Sequence, residues 1–348
     1  MRILVVKLSS LGDILHVLPC VHELRTQLGA EIDWAVHPEF ASIVRCFADV
    51  DGVIEFPRHK VLRGLAPAIR SLRSKEYDLV VDLHGLFKSA IVARFARARR
   101  RIAPSYAREC SWLFFSERAG RFDRTRHAAE QAFDTLDYLK LKRPQGAFRA
   151  DLRVHEPYPL PKSERTIAFA PVSRWPTKNW PPERFGELAR ILLGRDDGLR
   201  IAIVGGKGDV AVGDAIVDSS GAPGRVSNLC GRTSIAESFD ILSRCDLLVA
   251  NDTGPVHMAA AVGTRCAVLF GPTRPDWTGP YGEGHRIIMR DLPCQPCLRR
   301  KCRRGDLACL TSISAAEVAD IVSEMLAAPG ALASAPSTDK GHRKAETH

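Results

Sequence analysis

A run of small residues with one carboxylate follows the first apolar stretch of the chain, residues 2–8. The run is Ser9-Ser10-Leu11-Gly12-Asp13. Small residues at a turn from strand into helix leave backbone N–H groups open at the helix start, which favours anions. Asp13, in the first turn of the predicted helix, is placed to act as a general base. The alternative is that Asp13 only stabilises the helix start.

A second polar segment, NDTGPVH (251–257), follows an apolar run at residues 247–250. Thr253 and Gly254 would present N–H groups at a helix start, and Pro255 suits the first turn because it needs no N–H partner there. Such a turn is suited to cradle a diphosphate. His257 would then reach a phosphate, with a structural hydrogen bond of its imidazole as the alternative.

A third segment, PVSRWPTKNWP (171–181), combines two cations, two hydroxyls and two tryptophans directly after an apolar run. Arg174 or Lys178 can neutralise a diphosphate leaving group, and an exposed basic loop is the alternative. Two glycine-containing turns complete the set. Residues 205–209 (GGKGD) lack the pattern of a dinucleotide or P-loop fingerprint and indicate a surface turn, and residues 271–273 form a turn near the same cleft by topology.

Cysteines are concentrated near the end of the chain. Six of the ten are isolated in sequence, and four are clustered as C-x2-C-x4-C-x6-C: Cys294, Cys297, Cys302 and Cys309. In a cytoplasmic chain such a cluster indicates a metal before disulfides, and four thiolates suit tetrahedral zinc, or iron. Reduced structural thiols and a disulfide or redox pair are the alternatives.

These segments lie between short apolar strands that alternate with helices, including a predicted helix over residues 14–28. The alternation predicts an α/β fold with two doubly wound parallel-sheet domains in tandem. The domains are predicted at 1–155 and 166–327, with a proline-rich linker at 156–165 and a disordered tail at 328–348. Ligands are then expected at the carboxyl ends of the strands, in the cleft between the domains.

The charge of the 348-residue chain, +10 overall, is concentrated. Residues 58–126 contain 17 Lys/Arg against 6 Asp/Glu. This stretch predicts a surface for a polyanion such as nucleic acid, anionic lipid or a phosphorylated glycolipid, with solvated helix faces as the alternative. No apolar run reaches the ~18 residues that span a bilayer. Lys7 and Asp13 interrupt the apolar N-terminus, so we expect no signal peptide and a cytoplasmic protein.

Taken together, the motifs resemble those of the ADP-heptose:lipopolysaccharide heptosyltransferases, glycosyltransferase family 9. The match covers residue 1 to about 325, and the order of the motifs makes it specific. The segment DLHGLFKSA (82–90) looks like the heptosyltransferase I branch. The other matching segments are ILVVKLSSLGDILH (3–16), KNWP (178–181), NDTGPVH (251–257) and FGPT (270–273).

The resemblance implies a GT-B fold and an inverting, metal-independent transfer of L-glycero-D-manno-heptose from ADP-heptose. The acceptor would be the Kdo region of lipid A–inner core, at the cytoplasmic face of the inner membrane, with no cofactor required for catalysis. Asp13 would be the general base. The donor diphosphate would be held by Ser173, Lys178, Asp252, Thr253, Gly254 and His257. Acceptor-binding candidates are Ser10, Gly12, His59, Lys60 and Arg63.

Two departures from the heptosyltransferase I pattern bear on these expectations. Residues 173–177 lack the expected Thr-Thr pair before Lys178. The four-cysteine cluster is more similar to heptosyltransferase II relatives and to protein heptosyltransferases, some of which use such cysteines for a metal. A structural zinc or iron after the last core strand, remote from the cleft, is therefore expected. The same-family alternative acceptors are the first core heptose or a protein.

Two readings from other protein classes compete with a heptosyltransferase. The first is a zinc-containing nucleic-acid-binding protein. It is disfavoured because the basic stretch is far in sequence from the cysteines and no nucleic-acid motif accompanies it. The second, a nicotinamide-dependent oxidoreductase, lacks its fingerprint. We therefore expect no nucleic-acid partner.

Overall fold

The computed structural model describes residues 1–57, 61–123, 125–146, 148–153, 157–161 and 164–328, and only the backbone of residues 61–65. The expected acceptor candidates His59 and Lys60, the side chain of Arg63, parts of the predicted linker and all but the first residue of the predicted tail lie outside that description.

Two parallel sheets carry the described chain, each with six strands among the described residues. The first has the order β3-β2-β1-β4-β5-β6 and the second β12-β11-β10-β7-β8-β9. The strands of the first sheet are β1 (Arg2–Val6), β2 (Glu31–Val36), β3 (Gly52–Glu55), β4 (Glu76–Asp82), β5 (Arg97–Ala103) and β6 (Glu117–Arg118). Those of the second are β7 (Arg165–Ala170), β8 (Leu199–Ile203), β9 (Val226–Asn228), β10 (Leu247–Asn251), β11 (Cys266–Leu269) and β12 (Arg286–Ile288).

Helices connect these strands. In the N-terminal half, residues 1–153, they are α1 (Leu11–His16), α2 (Leu18–Leu28), α3 (Pro38–Arg45), α4 (Val61–Arg73), α5 (Phe87–Phe95), α6 (Ala128–Ala132) and α7 (Asp134–Tyr138). In the C-terminal half, residues 164–328, they are α8 (Pro182–Arg195), α9 (Val210–Ser219), α10 (Ile235–Ser243), α11 (Gly254–Ala261), α12 (Pro275–Thr278), α13 (Ala308–Thr311) and α14 (Ala315–Ala327). No helix in the described ranges is long and apolar enough to cross a membrane.

The expected fold class, two doubly wound parallel-sheet domains, is confirmed. Strand order reverses beside β1 in the first sheet and beside β7 in the second. Each reversal opens a crevice at the carboxyl ends of two neighbouring strands, where doubly wound folds bind ligands. The domain boundaries stay predictions.

One predicted element is wrong. The expected helix over residues 14–28 is two helices, α1 and α2, which meet at Val17. Pro19 explains the break, because it has no N–H to donate to the carbonyl of Leu15 and its ring crowds that turn.

One apolar core is shared by both halves. Alternate residues of β1, Ile3 and Val5, face it from the first sheet, and Ala168 and Ala170 of β7 face it from the second. Helices from each half fill the space between, and the ring of Phe47 meets the ring of Phe239 edge-to-face at 5.5 Å. The two sheets therefore bury part of their apolar surface against each other's helices.

Candidate active site

Asp13 lies at the crevice of the first sheet, in the first turn of α1. Its carboxylate accepts hydrogen bonds from the Ser10 backbone N–H (3.1 Å) and from the Ser10 hydroxyl (2.7 Å). The side chain stays accessible to solvent. Surrounding protein opposes its ionisation, but the Lys7 ammonium and the two bonds from Ser10 outweigh that effect and lower the pKa of Asp13. Asp13 is therefore an ionised, accessible carboxylate held in one orientation, as a proton acceptor needs to be.

Lys7 is a further site residue, which the sequence motif contained but did not single out. It follows β1 directly, is buried, and its ammonium lies 5.8 Å from the centre of the Tyr106 ring. Burial lowers the pKa of Lys7, and the carboxylates of Asp13 and Asp82 oppose that effect. Lys7 thus places a cation beside Asp13 at the floor of the crevice.

The end of β4 forms the other wall of this crevice. The buried Asp82 carboxylate accepts hydrogen bonds from the N–H groups of His84 and Gly85 and from the Ser89 hydroxyl. Burial raises the pKa of Asp82 to about 6, although these donors and Lys7 favour its ionised form. Burial lowers the pKa of His84 to about 3, with the Lys7 charge adding to the effect. Asp82 therefore fixes the loop that faces Asp13.

The crevice of the second sheet is built around Asp252, which follows β10. Lys178 Nζ lies 2.6 Å from the Asp252 Oδ2, and the Thr273 hydroxyl donates to the same oxygen at 2.6 Å. The Ser173 hydroxyl donates to the Asp252 backbone carbonyl at 3.0 Å. The structure thus brings the predicted residues Ser173, Lys178 and Asp252 together, and adds Thr273 from the turn at 271–273.

The buried Asn251 side chain joins the two loops of this crevice, and the Asn179 side chain braces one of them. The Asn251 side chain accepts a hydrogen bond from the backbone N–H of Trp180 (3.0 Å) and donates one to the Pro171 carbonyl (2.6 Å). Asn179 accepts from the Ser173 N–H at 2.7 Å. Both polar atoms of the Asn251 side chain are therefore used within the protein, so the segment that carries Lys178 has one position relative to β10.

Helices α1 and α11 bring the two crevices together. A Cβ on Gly12 would lie 2.9 Å from the Cδ2 of His257, and a Cβ on Gly254 would lie 2.7 Å from the Cδ2 of Leu11. Both distances are shorter than real Cβ contacts, so a side chain at either position would force a shift. At Gly254 the end of the Leu11 side chain could move, whereas at Gly12 the obstacle is the His257 ring, so Gly12 permits the close approach of the other half. Gly12, predicted to bind the acceptor, thus contacts the predicted donor residue His257.

A cluster of imidazoles lies behind this contact. His16 Nε2 is 3.2 Å from His257 Nδ1, and the His127 ring meets the His16 ring edge-on at 4.8 Å. Burial lowers the pKa of His257 to about 4 and that of His16 well below its usual range, so both are neutral near pH 7. Local motifs do not reveal His16 and His127 as site residues, because separate elements bring them together.

The tautomers of these rings follow from their partners. His16 Nδ1 is buried with no hydrogen-bond partner in the described structure. A buried N–H without an acceptor is rarer than a bare acceptor, so we assign the proton of His16 to Nε2, which then donates to His257 Nδ1. His257 therefore carries its own proton on Nε2, where it can donate to a ligand.

The four clustered cysteines lie beside this site. The expectation that they would be remote from the cleft is wrong: the Leu298 N–H donates to the Pro272 carbonyl, and the Thr177 hydroxyl to the Arg299 carbonyl. The Trp175 ring lies 4.9 Å from both the Lys178 ammonium and the Arg300 guanidinium. The cysteine segment therefore supports the loop that carries Lys178.

The described geometry gives no support for the expected metal at these cysteines. All four line one cavity, and backbone N–H groups, led by that of Leu307, lower the pKa of Cys302. Within the described ranges, however, no group of three or more Cys, His, Asp or Glu side chains is arranged to hold an ion. None of the ten cysteines forms a disulfide in the structure.

Comparison with known proteins agrees with this geometry. The model of glycosyltransferase family 9 (heptosyltransferase) matches residues 66–308. Lipopolysaccharide heptosyltransferase 1 of Pseudomonas aeruginosa is 29% identical over 95% of this chain and 100% of its own length. The corresponding Escherichia coli K12 protein is 28% identical over 82% and 93%, respectively.

Solved structures show the same architecture. The structure of E. coli heptosyltransferase WaaC with ADP superposes with a TM-score of 0.73 at 26% identity, covering 93% of this chain and all of that one. E. coli ADP-heptose lps heptosyltransferase II gives a TM-score of 0.75 at 23% identity, over 94% and 98%. With two crevices that face each other and a family model that matches most of its length, the chain belongs to glycosyltransferase family 9, the heptosyltransferase family, and is a glycosyltransferase.

Proposed function

We propose that this glycosyltransferase is an inverting heptosyltransferase that moves L-glycero-D-manno-heptose from ADP-heptose to the Kdo region of the lipopolysaccharide inner core. The observation that carries the proposal is the meeting of an accessible, ionised Asp13 with a cation-bearing crevice across the α1–α11 contact. The relatives named lipopolysaccharide heptosyltransferase 1 support the sugar and the pathway.

The reaction is one displacement. A hydroxyl oxygen of the acceptor attacks the anomeric carbon of the heptose, and its proton passes to the Asp13 carboxylate. The bond from the anomeric carbon to the β-phosphate oxygen breaks, and its electron pair leaves with ADP. Because attack and departure are on opposite faces, the configuration inverts.

The second crevice stabilises the leaving diphosphate. Lys178, the N–H groups of Thr253 and Gly254, and the His257 Nε2–H are donors suited to the charge that develops on the departing oxygen. Asp252 orients Lys178 and lies beside the donor sugar, while Ser173 holds the Asp252 backbone. A solved relative with ADP-2-deoxy-2-fluoro heptose, 25% identical with a TM-score of 0.71, supports this donor class.

The acceptor side of the proposal rests on Ser10, Gly12 and the basic stretch of residues 58–126, which includes the candidates His59, Lys60 and Arg63. We place the enzyme at the cytoplasmic face of the inner membrane, where an anionic Kdo–lipid A acceptor is exposed. The proposal includes no catalytic cofactor. A structural zinc or iron at the four cysteines stays a prediction, which elemental analysis of the purified protein tests.

The deciding experiment incubates purified protein with ADP-heptose and Kdo-lipid A in EDTA, and follows ADP release and product mass. We expect the transfer of one heptose. Donor binding without transfer would reject this acceptor and favour a heptosylated core or a protein. No donor binding at all would contradict the heptosyltransferase proposal.

A further inference from the structure

An exposed aromatic patch lies within the basic stretch of the N-terminal half. We define it as Phe87, Trp112, Leu113 and Phe114, with exposed fractions of 45%, 39%, 74% and 37%. The Phe87 and Phe114 rings meet edge-to-face at 5.4 Å, so α5 and the short helical turn at Ser111–Phe114 present one surface. Large apolar side chains grouped in this way on a surface mark an interaction site.

Cations accompany the aromatic patch. Lys88, Arg108 and Arg118 are exposed, and among the described residues none of them has a carboxylate within 4.0 Å. Lys88 follows Phe87 in the sequence, and the Ser111 N–H donates to the Arg108 carbonyl. The Arg118 guanidinium lies 5.8 Å from the centre of the Trp112 ring. Glu109 is the acidic neighbour, and its carboxylate accepts from the Phe87 N–H. The Arg118 guanidinium also donates to the Ser105 carbonyl. Aromatic side chains flanked by cations that lack a carboxylate partner match the interface of an anionic bilayer, where rings lie at headgroup depth and cations meet phosphates.

The aromatic patch is attached to the Asp13 crevice. The Gly85 carbonyl, three residues beyond the end of β4 at Asp82, accepts hydrogen bonds from the Arg108 N–H and the Ser111 hydroxyl. β4 pairs with β1, with Asp82 opposite Val6, and Lys7 contacts Tyr106. The patch and the proposed base therefore lie at the same edge of the first sheet.

We propose that the aromatic patch inserts into the interfacial layer of an anionic phospholipid bilayer and so holds the Asp13 crevice against the membrane surface. This inference rests on the proposed function, because a lipid-borne acceptor has to be met at that surface. Charge complementarity selects the bilayer over a second copy of this chain, whose own patch would carry the same positive charge.

The test measures co-flotation of the full-length chain with vesicles. We expect binding to vesicles that contain phosphatidylglycerol and at least tenfold weaker binding to phosphatidylcholine alone. Leu113→Glu should weaken binding to the anionic vesicles by at least tenfold. Ile287→Glu is the matched control, since Ile287 is an exposed residue of β12 in the other half and its variant should bind like the wild type.

A transfer assay separates this inference from the proposed function. Leu113→Glu should act normally on a delipidated, soluble Kdo oligosaccharide and lose at least tenfold on acceptor embedded in vesicles. Equal loss in both formats, or wild-type protein that does not bind anionic vesicles, overturns the membrane inference. A Leu113→Glu variant that changes oligomeric state without lipid assigns the patch to a second copy instead. Vesicle binding without any heptose transfer leaves the patch standing and rejects the proposed function.

Discussion

The two crevices that meet at α1 and α11 are built differently. In the C-terminal crevice, Lys178 and Thr273 both bond to the Asp252 carboxylate, and Asn251 uses both of its side-chain polar atoms within the protein. In the N-terminal crevice, the Asp13 carboxylate accepts hydrogen bonds from Ser10 and from no other residue in the described part of the chain, and it stays open to solvent. A preorganised crevice suits a ligand that is always the same, such as a nucleotide diphosphate, whereas an open one admits a large acceptor and keeps its base reachable.

The largest effect should come from the open crevice. Asp13→Asn removes the proton acceptor but keeps the size of the side chain, so the transfer rate should fall about a thousandfold. Donor affinity should stay within about threefold, since the diphosphate donors lie on the other half. Steady-state kinetics and calorimetric titration of ADP-heptose measure the two effects. A rate within tenfold of wild type would show that Asp13 is not the base.

In the preorganised crevice, a substitution should lower donor affinity as well as the transfer rate. Lys178→Ala removes a cation from the diphosphate and leaves the buried Asp252 carboxylate without its ion pair, so donor affinity should fall about a hundredfold along with the rate. Lys207→Ala is the matched control, because Lys207 is an exposed lysine after the neighbouring strand β8. Equal donor affinity for both variants would remove Lys178 from the donor site.

His16 tests how the two crevices are coupled. His16→Leu removes the donor to His257 Nδ1, so the imidazole of His257 should lose its single tautomer and donor affinity should fall about tenfold. Nitrogen-15 NMR of His257 reports which ring nitrogen carries the proton. His16→Gln supplies a replacement N–H, so it should partly restore the donor affinity and the wild-type nitrogen-15 spectrum of His257. An unchanged His257 spectrum in His16→Leu contradicts the assigned hydrogen bond.

Asp82 gives the smallest effect, and it concerns stability. Its pKa in the folded protein, about 6, is above its ordinary value of 3.8, so the folded state binds this proton more tightly than the unfolded state. The contribution of Asp82 to the free energy of unfolding therefore falls as pH rises from about 4 to about 6. Asp82→Asn should lack that loss, so at pH 8 its free energy of unfolding should exceed that of wild type by about 1 kcal/mol. Urea unfolding at pH 4.5 and pH 8 measures it, and an equal difference at both values would contradict the proposed titration.

The polar loops of both crevices are predictable from the sequence, because each follows a short apolar strand and begins a helix. The segment at 251–257 shows this best: Pro255 and Gly254 mark the helix start, and the structure begins α11 at Gly254. Topology predicts the turn at 271–273 near the cleft, and Thr273 of that turn donates to Asp252. In these two loops the local sequence is sufficient to predict the position of the site residues.

Other features depend on contacts that no local pattern contains. Strand β5 was not predicted because its sequence is RARRRIA and only its last two residues are buried; pairing with β4 makes it a strand. The cluster of His16, His127 and His257 joins three separate elements. The position of the cysteine segment depends on its hydrogen bonds to the turn at 271–273, and the spacing of its cysteines says nothing of that contact.

The apolar core that both sheets share limits how members of this family can exchange parts. A recombination that joins the first half of one enzyme to the second half of another has to match side chains such as Phe47 and Phe239 across that core. It also has to keep Gly12 opposite His257. In this chain the donor and acceptor crevices are therefore coupled through one core, and a chimera that replaces one half without matching these contacts should lose stability.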